Sequence, residues 1–168
     1  MYEKQNVIFN LIEEIIMKRF ISAAILSVIA MSATATENTN IWGCVTNTGK
    51  VARVDLVEGA GGVQAVYTFG KAGSNPELSV VKKPSDVKYT EKEAYANGIL
   101  QTTYYQLTFN NGQFSYITEQ FNKIGRLYVL KNDKVISTIE CEDIIDAGVL
   151  DSENMIKIFP YHEKVKDE

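Results

Sequence analysis

The stretch LQTTYYQLTFNNGQFSYIT, Leu100–Thr118, decides the fold. Asn111-Gly112 stands between two runs of alternating polarity. An Asn-Gly pair in that setting signals a hairpin, because both central residues of a type I′ turn need φ > 0. The turn sets a register in which Phe109 faces Phe114, Leu107 faces Tyr116 and Tyr105 faces Thr118. Those residues share one side of the ribbon, while Thr108 with Ser115 and Gln106 with Ile117 take the other. One face is therefore built for a core and the other for a polar surface.

Similar patterns extend in both directions. Ile41–Thr46 reads as a strand turned by Asn47-Thr48-Gly49, and Val51–Val57 alternates with Ala52, Val54 and Leu56 on one face and Arg53 and Asp55 on the other. Residues 58–62 form a flexible turn before a strand at Val63–Phe69. Gly70–Pro76 is irregular, Glu77–Lys82 is a short strand ended by Pro84, and Val87–Thr90 pairs weakly. Glu91–Asn97 is a loop or a single helical turn. Past the hairpin come strands at Arg126–Lys131 and Val135–Cys141, joined by a tight turn at Asn132-Asp133. A short helix at Asp143–Ala147 with Gly148 as its cap, and a helical turn at Ser152–Phe159 capped by Ser152, precede a frayed Tyr161–Glu168. About eight short strands joined by Gly and Asn turns predict an all-β domain, a single small antiparallel barrel or sandwich with short helical turns after it.

The beginning of the chain reads as a targeting segment. Met17-Lys18-Arg19, the apolar run Phe20–Met31 and the A-x-A triplet Ala33-Thr34-Ala35 make a secretory signal peptide over 17–35, cleaved after Ala35. Residues 1–16 then read as an upstream extension, 36–150 as the β domain and 151–168 as an acidic tail. The apolar run is shorter than the roughly 20 residues a membrane-spanning helix needs, so no stable membrane insertion is expected after cleavage. In an exported chain the two cysteines, Cys44 and Cys141, read as a disulfide. A redox pair would want C-x-x-C, and a zinc site more ligands than two thiols and one distant His.

Charge and missing residues narrow the function. The formal net charge is −4 and no basic cluster occurs, which argues against a nucleic-acid partner. His162 is the only histidine, so neither a Ser-His-Asp triad nor a His-based metal site is expected. No catalytic residue, cofactor or metal is expected. A carboxylate pair remains the one hydrolytic option, with Glu77 as its best-placed acid; Glu77 reads more readily as an edge charge that discourages strand pairing. Candidate partner-binding residues are Gly70, Lys71, Ser74, Asn75 and Glu77 in the irregular segment. Tyr104 joins them because adjacent Tyr104 and Tyr105 must point to opposite faces, leaving one outward.

A family resemblance follows from the order of these pieces. An early Cys44, Val66-Tyr67-Thr68-Phe69-Gly70, Pro76-Glu77-Leu78, an Asn-Gly hairpin with Phe114 and Tyr116, Leu127-Tyr128-Val129, Lys134 and a closing Cys141 together resemble small Gram-negative periplasmic β-barrel proteins. That group is similar to periplasmic inhibitors of c-type lysozyme and to immunity proteins against wall-degrading effectors. The Ser-Gly-x-x-Tyr and Tyr-x-x-x-Thr-Lys-Gly runs of the lysozyme inhibitors are not found; the nearest segment is Tyr116–Gln120. The resemblance implies a periplasmic, non-enzymatic protein whose partner is a cell-wall hydrolase, blocked by insertion of a loop. The alternative is a periplasmic small-ligand or envelope-assembly binding protein that uses the barrel interior.

Overall fold

A computed structural model describes residues 38–145, 150 and 153–167. The signal segment, the upstream extension, the Gly148 cap and the Ser152 cap lie outside the described residues. Ten strands form one sheet: β1 (Asn38–Thr46), β2 (Lys50–Gly59), β3 (Gly62–Lys71), β4 (Leu78–Lys82), β5 (Lys88–Ala96), β6 (Ile99–Asn111), β7 (Phe114–Phe121), β8 (Ile124–Lys131), β9 (Lys134–Ile145) and β10 (His162–Asp167). A 3₁₀ turn at Pro84–Asp86 links β4 to β5, and helix α1 (Asn154–Ile158) precedes β10. The order across the sheet is β10-β5-β6-β7-β8-β9-β1-β2-β3-β4. The fold is all-β as expected; its strands form one sheet that does not close, and they number ten where about eight were expected. Among the described residues no helix is long and apolar enough to cross a membrane.

Two antiparallel meanders, β1–β4 and β5–β9, build the sheet, and they meet where β9 pairs with β1. The opening hairpin exists with a shifted register. Asn111 pairs with Phe114, Phe109 with Tyr116 and Leu107 with Thr118. Only Gly112 of the expected turn pair has positive φ, +62°, so Gly112-Gln113 form the loop, as in turns with glycine at the first central position. A slip of two residues leaves every side chain on its face, so the predicted inner face survives. The type I′ pattern is found instead at Asn97-Gly98, with φ of 53° and 74°, and at Asn132-Asp133, with 49° and 61°.

Three local expectations are overturned. Residues 91–96 belong to β5, neither loop nor helical turn, because Asn97-Gly98 closes a hairpin with β6. Asp143–Ile145 continue β9 alongside β1. The tail expected to fray forms β10, which pairs in parallel with β5 from His162–Tyr89 to Asp167–Ala94.

The sheet bends so that its two halves share one core. Tyr67 of β3 lies 5.7 Å from the Phe109 ring and stacks 5.5 Å from Tyr116, which joins β3 to β6 and β7 across the interior. Burial there holds the Tyr67 hydroxyl well above its ordinary pKa. Trp42, Leu107 and Leu127 are fully buried around this stack. Leu150, Met155 and Phe159, all after β9, complete the core, and the Tyr89 hydroxyl donates to the Leu150 carbonyl at 2.7 Å.

The disulfide is present: Cys44 of β1 and Cys141 of β9 are bonded with Cα atoms 5.4 Å apart. They are not a registered pair, since Cys44 faces Ile144 and Cys141 faces Thr46 around an irregularity in the ladder. Gly125 of β8 makes room for the bond. A Cβ there would collide with Ile144 and stand 2.8 Å from Cys141 Sγ.

Candidate functional site

The irregular segment singled out in the sequence is the β3–β4 connection, and all of 71–77 is exposed. Its base is fastened although its tip is free of the sheet. The Glu77 amide donates to the Phe69 carbonyl at 2.9 Å, and the Ser74 amide donates to the Lys71 carbonyl at 3.2 Å. Gly70 permits the close return of the chain, for a Cβ there would stand 2.8 Å from the Glu77 nitrogen and 3.1 Å from Pro76 Cα. Lys50 Nζ pairs with Glu77 Oε2 at 2.7 Å and lies 5.3 Å from the Phe69 ring centroid. Glu77 is thus the partner of a strand lysine across the loop base.

Gly70, Lys71 and Ser74 line an open groove of about 400 Å³ whose opposite wall is Arg53 and Asp55 of β2, with Ile145 at its side. Asp55 is held by Asn40, whose Nδ2 donates at 2.8 Å, and by Arg53 at 3.3 Å. Asn75 stays on the exposed loop, and Glu77 turns to Lys50. Tyr104 belongs elsewhere: it is half-buried on β6, its ring 5.5 Å from Phe121. The predicted site residues therefore divide into a loop group and one tyrosine on a different strand.

Sequence reasoning missed Lys50, Arg53 and Asp55 as neighbours of the loop. The signal was available in the β2–β3 register, where Lys50 faces Lys71 and Arg53 faces Thr68. Extending the clean alternation of Val51–Val57 through its hairpin places these residues beside the loop. Their charges also alter the electrostatic expectation. Lys50, Arg53 and Lys71 offset Glu77 and Asp55, so the chain's acidic excess is not concentrated at the loop.

Chemically, this arrangement presents a short exposed loop of Ala72, Gly73, Ser74, Asn75 and Pro76 on a fixed base, with paired charges at its root. Comparison with known proteins finds no matching family model, no similar curated protein and no similar solved structure.

Proposed function

We propose that the protein is a non-enzymatic binding protein of the cell envelope that blocks a cell-wall hydrolase by presenting its β3–β4 loop to the enzyme's cleft. The observation that carries this reading is the contrast within that loop. The residues at 71–77 are exposed, while Gly70, the Phe69–Glu77 hydrogen bond and the Lys50–Glu77 ion pair fix where they emerge. A loop whose base is fixed before binding loses less conformational entropy on docking than a free one, which helps a small contact reach useful affinity. The other reading, a ligand inside the fold, would need the aromatic face of β6 and β7. That face is packed against Tyr67, and Phe109 and Leu107 are fully buried.

The test is inhibition of a panel of muramidases and wall amidases by the oxidised protein, with Ser74→Arg as the loop variant. Slowing of one enzyme by the native protein and not by the variant supports the reading. An unchanged rate across the panel at micromolar protein sinks it.

A further inference from the structure

A second groove, of about 330 Å³, runs over the outer faces of β10, β5, β6, β7 and β8, away from the loop. Along β6 its lining is Gln106, Thr108 and Asn110; Ser115 of β7 and Thr90 of β5 stand beside them in register. Alternate residues of a strand lie about 6.7 Å apart, so the row from Tyr104 to Asn110 measures roughly 20 Å. At one end of the row is the Tyr104–Phe121 ring pair. Ile117, Leu130 and Val165 add apolar patches, and Asp133 of the β8–β9 turn also borders the groove.

The polar groups of this face are held in position. Gln106 Nε2 donates to Glu119 Oε2 at 2.6 Å, the Tyr128 hydroxyl donates to Glu119 Oε1 at 2.8 Å, and the Ser115 hydroxyl donates to Asn110 Oδ1 at 2.8 Å. The two lysines of the groove are neutralised by the strand that walls it: Lys88 pairs with Glu163, and Lys92 with Asp167 at 2.7 Å. The floor of the groove along β6 is thus a row of uncharged hydrogen-bonding side chains with small apolar patches beside it, bordered by Asp133 and by lysines already paired with β10 carboxylates. An anionic ligand would have to displace β10 carboxylates, and an extended peptide would seek a free strand edge and not a sheet face.

We propose that this face binds a neutral, unbranched oligosaccharide. Its hydroxyls meet Gln106, Thr108 and Asn110, and the apolar face of one sugar ring rests on Tyr104. Sugars present hydroxyls and C–H faces side by side, and this lining offers complements to both. The proposal is independent of the loop reading, since it uses none of the residues at 70–77.

The experiment is an amide NMR titration of the full, oxidised protein with three neutral probes: chitotetraose, cellotetraose and maltotetraose. Saturable shifts at 104–110 and 115 with at least one probe are expected. Tyr104→Ala and Asn110→Ala should each weaken that binding about tenfold, the effect of losing roughly one good contact, with the amide spectrum away from 104–121 unchanged. Charge supplies the second arm. Glu163→Gln with Asp167→Asn frees Lys88 and Lys92, so the double variant should gain binding of an oligogalacturonate that the native protein ignores. Absence of saturable shifts at these residues with all three probes overturns the proposal. So do shifts confined to the β3–β4 loop, or affinity indifferent to both alanine variants.

Discussion

The pairing of β9 with β1 and the pairing of β10 with β5 each join strands distant in the chain, and they do so with different chemistry. The β9–β1 seam has four registered pairs interrupted by an irregularity, and a covalent bond spans it. The β10–β5 seam has six uninterrupted parallel pairs and no covalent tie. In place of one, it has charges sorted by face. On one side of the strand Lys164 lies 2.6 Å from Glu93, and Lys166 sits 5.7 Å from the centroid of the Tyr95 ring. On the other side the signs reverse, with Glu163 on Lys88 and Asp167 on Lys92. A one-residue slip of β10 would bring its side chains to the wrong faces and set like charges together, so the charge pattern specifies register where apolar content cannot. The first seam resists unfolding of the whole; the second responds to solvent.

The largest effect is expected from removal of the bond. Cys44→Ala with Cys141→Ala should cost up to about 4 to 5 kcal/mol, the chain-entropy value for a closed loop of this length, read from urea unfolding of the native and double-variant proteins. A change below about 1 kcal/mol would mean that the ladder alone holds the seam. Next comes the space beside the bond: Gly125→Ala should destabilise by about 1 to 3 kcal/mol, because Ile144 and Cys141 occupy the position of the added methyl.

Effects on the ionic seam are local, and hydrogen exchange of β10 amides reads them. Raising the salt concentration should speed that exchange and leave the β1–β9 amides unchanged, since exposed pairs are screened. Titration should act in both directions. Hydrogen bonds from Lys164 and then Tyr95 hold the Glu93 carboxyl below its ordinary 4.5, so its contribution is full above pH 4.5 and fades as pH falls through the lowered value. The hydrogen bond to Glu93 raises Lys164 above its ordinary 10.5, so that contribution is full below pH 10.5 and fades as pH climbs through the raised value. Protection of β10 is therefore expected to form a plateau between these limits; a flat profile outside them would show that backbone pairing alone docks the strand. The smallest change is Lys50→Ala at the loop base, about 0 to 1 kcal/mol for an exposed pair, measured by the same urea transition.

The two seams also differ in how far they could be read in advance. The disulfide followed from a count of cysteines in a chain with a leader-like beginning, and Asn132-Asp133 turned as its composition demands. The inner and outer faces of β6 and β7 were legible because period-two patterning tolerates an even slip in register. Of β5 only residues 88–90 were legible, and β10 was not. Their alternation is one of charge, KYTEKEAYA against HEKVKD, which reads as loop or solvated tail until the two are laid side by side. Glu93 can be buried only because Lys164 and Tyr95 reach it, and no local window contains the lysine. At the candidate loop, Gly70–Glu77 was visible as a break in pattern, whereas its wall of Arg53 and Asp55 needed the β2–β3 register.

The residues after β9 set a condition on the order of folding. Leu150, Met155 and Phe159 fill interior positions, and the strand they lead into crosses to the far edge of the second meander. All nine earlier strands are synthesised before that segment, so the nascent sheet waits with an unfilled interior and an unpaired β5 edge. Contacts of such long sequence separation form slowly. An incomplete chain exposes the β5 edge to pairing with another molecule until β10 arrives to cover it with a short, charged edge strand.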